Sequence, residues 1–411
     1  MNIWTDTTVA TLSCARGLAA FLAQEVVELG YTVVGGNETM IGIEGLKGVR
    51  DILRLNLWLR TAHRVLIPVA QGAARDLRDL YELAVEVPWE SYISADRPFI
   101  VNSTVWNDTV RDSRMPNLKT KDAIADRMRE FCGRRPDSGE DVGGASIFVY
   151  WMEEDAKIYL DVSGRPLSKR GYRMNPWKAP MMESLAAAAV MATGWDKKSP
   201  FIVPMCGSGT PAIEAALMAR NRAPGQFRSW FGFMGLKGYE SIIPGERADS
   251  STRTRFGATP EQIWKQLVQQ AREEEIKGPM PIIVAGDIDE EAVSAAQSNA
   301  ISAGVIEDIK FVTCDFAEMP LPEQKGTLFI NPEYGERLGE ETELEPVYTR
   351  IGDYFKQKCI GWNGCVFTGN LELAKKIRLR SSRRIPMFNG PIECRLLVYE
   401  LFEGAMEEKD E

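Results

Sequence analysis

The chain has 411 residues, 44% of them hydrophobic and 26% charged, with a formal net charge of −9. This globular composition predicts two or three domains, no apolar run reaches the about 18 residues of a membrane span, and the opening MNIWTDTTVATLSCARG lacks the basic start and apolar core of a secretory signal. Seven cysteines without C-x-x-C spacing and one histidine, His63, argue against a disulfide framework, a metal site and histidine-based catalysis, and predict reduced thiols in the cytoplasm.

In chain order, residues 1–68 read as strand VATLS, helix RGLAAFLAQEVVELG closed by Gly30, strands YTVVGG and TMIGIEG, helix LKGVRDILRLNLWLR and strand RVLIPVA. The order βαββαβ predicts a ferredoxin-like domain. His63, just before that last strand, is read as structural. Residues 69–165 read as helix RDLRDLYELAVEV, strand RPFIVNSTVW, helix KTKDAIADRMREFCG and a hairpin ASIFVYWMEEDAKIYLDVSG turning near Glu154 and Asp155. Residues 166–178 form a turn-rich, cationic linker that also fits a ligand contact. From 179 to 405 strands and helices alternate, which predicts an α/β, doubly wound Rossmann-like domain. An interruption at about 225–278 is read as an insertion in that fold, and 406–411 is an acidic tail. Bulk acidity argues against nucleic acid as a partner. The cations, however, cluster in RDSRMPNLKTK, RPLSKRGYRMNPWK and RLRSSRR. Such runs make a local basic patch or, more often, a solvated face.

Ligands of an open α/β sheet bind beyond the carboxyl ends of its strands. The first of these ends is PMCGSGTPA, where Gly207 and Gly209 permit a tight turn and a close ligand approach before a helix N-terminus. A turn of this kind is equally common as plain structure. The next end, VAGDID, places Asp287 to accept from a ribose diol and Asp289 to cap a helix. Asp287 lies 78 positions beyond Gly209, against about 20 in a dinucleotide fingerprint, which counts against NAD. In VTCDF, Asp315 is an acceptor for an adenine amino group, with Phe316 against the ring. Together these ends suit a nucleoside without a pyrophosphate, S-adenosylmethionine above all. The fourth end is INPEY. An exocyclic amine has its lone pair tied into the base, and two acceptors can aim its nitrogen at a sulfonium methyl. Asn331 supplies one through its side chain and Pro332 the other through its carbonyl. Tyr334 offers a stacking face worth about 1–3 kcal/mol. Rate then comes from orientation rather than from a strong base.

SCARGLAAFLAQEV, NDTVRDSRMPNLKTKDAIAD, SGRPLSKRGYR, PMCGSGT and NPEYGERLG, in that order, resemble the class I methyltransferases that carry an RNA-binding THUMP module. The likeness is greatest to the bacterial branch acting on guanine N2 of large-subunit ribosomal RNA, and it covers nearly the whole chain. The resemblance implies a THUMP module at 69–165 that grips structured RNA while the catalytic domain handles one flipped base. It implies an S-adenosylmethionine site at Cys206, Gly207, Ser208, Gly209, Asp287, Asp315 and Asn331, and target-base contacts at Asn331, Pro332 and Tyr334. Arg170 and Arg173 are implied as RNA or inter-domain contacts and Lys119 as an RNA contact. Arg337 either braces its loop or meets phosphate. The implied partner is RNA, foremost ribosomal RNA within a pre-ribosomal particle, with no membrane and no metal.

Two residues depart from the family pattern. Val203 stands where an aspartate would face the cofactor's ammonium group, and Glu333 replaces a second proline. The insertion near 236–259 is also longer than usual. Three readings follow: an active guanine-N2 RNA methyltransferase, a catalytically degenerate RNA-binding or ribosome-assembly protein, and a transfer-RNA guanine-N2 methyltransferase.

Overall fold

Alternating burial along β1 (Val9–Cys14) is the period of a strand with one face covered. The computed structural model, which describes residues 2–137, 143–175, 181–242, 257–334 and 340–402, continues with α1 (Ala19–Glu28), β2 (Thr32–Gly36), β3 (Met40–Glu44), α2 (Val49–Trp58) and β4 (Ala62–Ala73). The antiparallel strand order β2-β3-β1-β4 is the ferredoxin-like arrangement expected. Then follow α3 (Leu77–Val85), β5 (Phe99–Trp106), α4 (Met115–Cys132), β6 (Ala145–Met152) and β7 (Asp155–Asp161). The boundary expected at residue 68 falls inside β4. That strand pairs with β1 up to Leu66 and with β7 from Leu66 to Ala73. One seven-stranded sheet, β2-β3-β1-β4-β7-β6-β5, therefore runs through both expected domains. The hairpin between β6 and β7 turns at Glu153 and Glu154, one residue earlier than the sequence suggested.

The second sheet is built from α5 (Glu183–Ala192), β8 (Phe201–Val203) and α6 (Thr210–Ala219), then, after a departure that ends in α7 (Pro260–Glu273), β9 (Ile283–Asp287), α8 (Glu290–Ser302), β10 (Ile309–Thr313) and β11 (Thr327–Ile330). α9 (Glu340–Lys358), β12 (Asn363–Thr368), α10 (Leu371–Lys375), β13 (Arg383–Asn389) and β14 (Ile392–Glu400) complete it. Its order is β10-β9-β8-β11-β12-β14-β13, parallel through β12 and antiparallel beyond. The chain order reverses between β8 and β11, which makes their carboxyl ends the topological switch point where such sheets bind ligands. The alanine-rich α5 and α6 are buried nearly all round, and their small side chains let them pack closely. Ile330, Tyr348, Ile351, Phe355 and Val366 anchor α9 on the sheet behind β11 and β12.

By contacts the described residues fall into two units. One is drawn from Met1–Cys14, Leu22–Lys169 and Ala223–Glu273, the other from Ala15–Phe21, Arg170–Arg222 and Glu274–Glu411. The interruption thus lies in sequence between α6 and β9 but packs with the first unit. Its aromatic residues explain why. Phe231 and Phe233 stack at 5.1 Å, and Trp264 of α7 meets both rings edge-on or tilted. Gly232 approaches β7 so closely that a Cβ would stand 2.1 Å from the Asp161 carbonyl oxygen. No helix among the described residues is long and apolar enough to cross a membrane.

Candidate active site

The turn after β8 is fastened through its backbone. Cys206 N–H donates to the Gly286 carbonyl at 2.8 Å, and Gly207 N–H to Asp287 Oδ2 at 3.0 Å. Gly207 and Gly209 both take left-handed φ, 51° and 81°, a region that penalises any Cβ. Their surroundings differ. A Cβ on Gly209 would stand 2.8 Å from that of Ala296 in α8, so this glycine serves packing. A Cβ on Gly207 would meet nothing within 4 Å, so this one leaves open space. Asp287, half-buried, accepts one main-chain N–H on each oxygen, from Gly207 and from Asp289 at 3.2 Å. Each oxygen keeps a lone pair for a ligand. Asp289 caps α8 by accepting from Glu291 N–H at 2.9 Å. Cys206 is buried. Burial foremost, and then the Asp287 charge, pushes its thiol pKa up, which makes it an inert wall of the site.

Sequence reasoning missed Asn299. This side chain, 1% exposed, uses its whole hydrogen-bonding capacity. Its Nδ2 donates to the carbonyls of Ser208 and Asn175, each at 3.0 Å, and its Oδ1 accepts from Met174 and Asn175 N–H. The glycine turn and the segment at 174–175 are thereby tied to one buried amide. The signal was present: Ala292, Ala296, Asn299 and Ala300 share the buried stripe of α8, where an amide is out of place unless bonded.

The structure corrects several expected roles. Asp315 N-caps the short turn Phe316–Glu318, with Oδ1 accepting from Ala317 N–H at 2.9 Å and from Arg350 at 2.7 Å. Burial alone would push its pKa up, but these bonds outweigh that and hold the carboxyl below its ordinary value. Its Oδ2 accepts nothing among the described residues, so one oxygen remains for an adenine amino group. Phe316 is not a free face. It is buried, with the Arg350 guanidinium 4.9 Å from its ring centre and Tyr354 edge-on at 5.9 Å. Arg170 is overturned as an RNA contact. It is 1% exposed and forks onto Glu214 of α6 at 2.7 and 3.2 Å, while the Tyr172 hydroxyl donates to the same carboxylate at 2.9 Å. Arg173, half-buried, pairs with buried Glu183 at 3.0 Å. The cationic stretch expected to face a ligand is thus in good part interior wiring. Lys119 lies half-buried on α4, His63 belongs to β4, and Arg337 lies outside the described residues.

The opposite wall follows β11. β11 pairs with β8 through Thr327↔Phe201 and Leu328↔Ile202, so the loop that carries Asn331 and the glycine turn follow adjacent parallel strands. Neighbouring strands lie about 4.8 Å apart, so the two loops leave the sheet side by side. Asn331 Oδ1 is buried and has no hydrogen-bond partner among the described residues. Pro332 is buried too, and its carbonyl accepts nothing among the described residues. Around this open pair the loop is held firmly. The Tyr348 hydroxyl donates to the Glu333 carbonyl at 3.3 Å and lies 2.7 Å from Thr368 Oγ1. Tyr334 packs its ring on Gly369 and takes a hydrogen bond from Asn389 at 2.8 Å. Glu333 itself is exposed, whereas Val203 is fully buried in β8. Two unmade acceptors at a switch point, beside a turn with room at Gly207, are suited to hold an N–H₂ group against a nucleoside ligand.

Residues 170–397 match the family described as the RMKL-like methyltransferase domain. Residues 10–66 match the RlmL ferredoxin-like domain and 74–161 the THUMP domain. Ribosomal RNA large subunit methyltransferase K/L of Syntrophotalea carbinolica is 34% identical over 398 residues, covering 94% of this chain and 53% of its own length. The chain therefore spans about half the length of the curated relatives of that name. A candidate RNA methyltransferase of Synechocystis sp. is 34% identical over 388 residues, 94% of this chain and 95% of its own. Among solved structures, a protein of Listeria monocytogenes assigned as an N6-adenine-specific DNA methylase aligns with a TM-score of 0.80 at 29% identity, over 95% of this chain and 96% of its own.

Proposed function

Since the chain belongs to the family of RMKL-like methyltransferases, we propose that it transfers a methyl group from S-adenosylmethionine to the exocyclic N2 of a guanine in structured RNA, with large-subunit ribosomal RNA as the substrate. The observation that carries this reading is the unpartnered Oδ1 of Asn331 beside the open carbonyl of Pro332. A buried acceptor left unmade costs about 1–3 kcal/mol, and an incoming amine removes that penalty. The matched THUMP domain and the ribosomal relatives favour RNA over DNA.

The residues present fit the cofactor. The space at Gly207 admits it, Asp287 has lone pairs for its ribose, and Asp315 Oδ2 stands ready for its adenine. When bound it supplies a methyl group on a positively charged sulfur. The chain's own work is positional. Asn331 Oδ1 and the Pro332 carbonyl accept the two amine hydrogens and hold the nitrogen in line. The plane of Tyr334 stacks the base, and the surrounding buried groups keep water away. Orientation of this kind is where most of the acceleration arises. The buried Val203 supplies no carboxylate for the cofactor's ammonium group.

The test is calorimetric titration with the cofactor, followed by transfer to unmodified ribosomal RNA and nucleoside mass spectrometry. N2-methylguanosine is expected. Binding without transfer supports the degenerate reading, to which Val203 and Glu333 lend weight. N6-methyladenosine would assign the site to adenine, the base named for the Listeria protein.

A further inference from the structure

The reading above gives Tyr334 a stacking role but leaves open what fixes the plane of its ring. A tyrosine has two free torsions, and ordering a side chain when the ligand arrives weakens binding. Here the ring is ordered beforehand. One side of the ring lies against Gly369, where a Cβ would stand 3.0 and 3.1 Å from the ring's Cδ2 and Cε2. The hydroxyl accepts from Asn389 Nδ2 at 2.8 Å. Asn389 is the last residue of β13, at the tip of the β13–β14 hairpin. It pairs with Ile392 across the two-residue loop Gly390-Pro391, with Gly390 at φ 61°.

The hairpin is itself braced. The segment Ala15–Phe21, early in the chain, groups with the catalytic unit. Gly17, at φ 83°, lies so near β13 that a Cβ would stand 3.1 Å from Met387 Cα and 3.3 Å from the Pro386 carbonyl oxygen. The Arg16 guanidinium covers the Phe388 ring at 4.4 Å, one residue before Asn389. A strand that the sequence disguises as a basic, proline-containing run thus carries a fixed amide to the edge of the base site.

We propose that Asn389 is a positioning residue: through its bond to the Tyr334 hydroxyl it sets the plane on which the target base stacks, and the braced hairpin tip forms one wall of the base site. This rests on the reading of Tyr334 as the stacking residue. The chain of contacts is Arg16 and Gly17 against β13, Asn389 to the hydroxyl, and the ring on Gly369.

The test is a double-mutant cycle in the full chain, with unmodified large-subunit ribosomal RNA as substrate. Asn389→Ala removes the amide end of the bond, and Tyr334→Phe removes its hydroxyl end together with that hydroxyl's contact to Cys394. Each is expected to lower kcat/KM about two- to tenfold with cofactor affinity unchanged. The double variant should be no worse than the poorer single one, because the same interaction is lost. Asn389→Asp, whose carboxylate can accept from the hydroxyl, should restore most of the activity and so separates positioning from misfolding. Additive losses, or a silent Asn389→Ala, would overturn the proposal. Tyr334→Ala distinguishes the two layers: if it leaves transfer unchanged, the stacking reading itself fails. If it abolishes transfer while the cycle is additive, only the role of Asn389 fails.

Discussion

The two walls of the switch point are built on opposite terms. On the β8–β9 side the polar groups are largely closed off. Asn299 spends all four of its bonds, both Asp287 oxygens are anchored, and Glu214 takes three donors from Arg170 and Tyr172. On the β11 side the rim is tied down, yet Asn331 Oδ1 and the Pro332 carbonyl are left open. A closed wall holds a shape, whereas an open pair of acceptors awaits a donor. Substitutions on the first wall should therefore register as stability or cofactor affinity, and those on the second as chemistry.

The largest effect is expected inside the closed wall. Glu214→Ala leaves Arg170 charged and buried without its carboxylate, and losing one partner of a buried pair costs about 3–5 kcal/mol. Urea unfolding followed by circular dichroism should show that loss; a change below about 1 kcal/mol would mean that Arg170 finds another anchor. Next comes Asn331→Ala, expected to lower methyl transfer by about 100-fold while cofactor affinity by calorimetry stays within a few-fold. A collapse of cofactor affinity instead would erase the division between the walls.

Much of this architecture was legible in the sequence. The βαββαβ order, the strand–helix alternation, the glycine turn and the acids at strand ends all rest on local pattern, and local pattern is what one chain displays. Four features were hidden because their causes are distant. Arg170 reads as a solvent cation until Glu214, 44 residues on, is placed against it. β13 carries two arginines and a proline in Arg383–Asn389 and looked like a charge run rather than a hairpin strand. α7 is amphipathic through Ile263, Trp264, Leu267 and Ala271, but the glycine-rich stretch before it drew the whole region into an insertion. Asn299 sat unremarked in an alanine stripe, since the groups it bonds come from two other segments.

Asn299→Ala sharpens the comparison from the closed side. It strips a buried carbonyl and three further main-chain groups of a partner. Each such loss costs about 1–3 kcal/mol where water cannot enter, and relaxation of the turn should leave the net effect within that range. Cofactor affinity measured by calorimetry should fall about tenfold, the fold-change of 1.4 kcal/mol, with the base chosen for methylation unchanged. Altered base choice would place Asn299 on the open wall instead.

The smallest effect tests whether the open wall is freer than the chemistry needs. Glu333 is exposed, its own N–H makes no bond among the described residues, and only its carbonyl is used, by Tyr348. Proline keeps that carbonyl. Glu333→Pro should therefore preserve the Tyr348 bond, remove a negative charge from the loop proposed to receive the RNA base and stiffen the backbone next to the acceptor of Pro332. A compatible proline is worth about 0.4–1 kcal/mol, which appears as a rise of about two- to fivefold in kcat/KM at low salt. The gain from lost charge should fade as salt rises, and the gain from stiffening should persist, so the salt series divides the two. A fall in activity would show that the carboxylate touches the substrate, and the departure from the family pattern would then be a feature of base recognition rather than a defect.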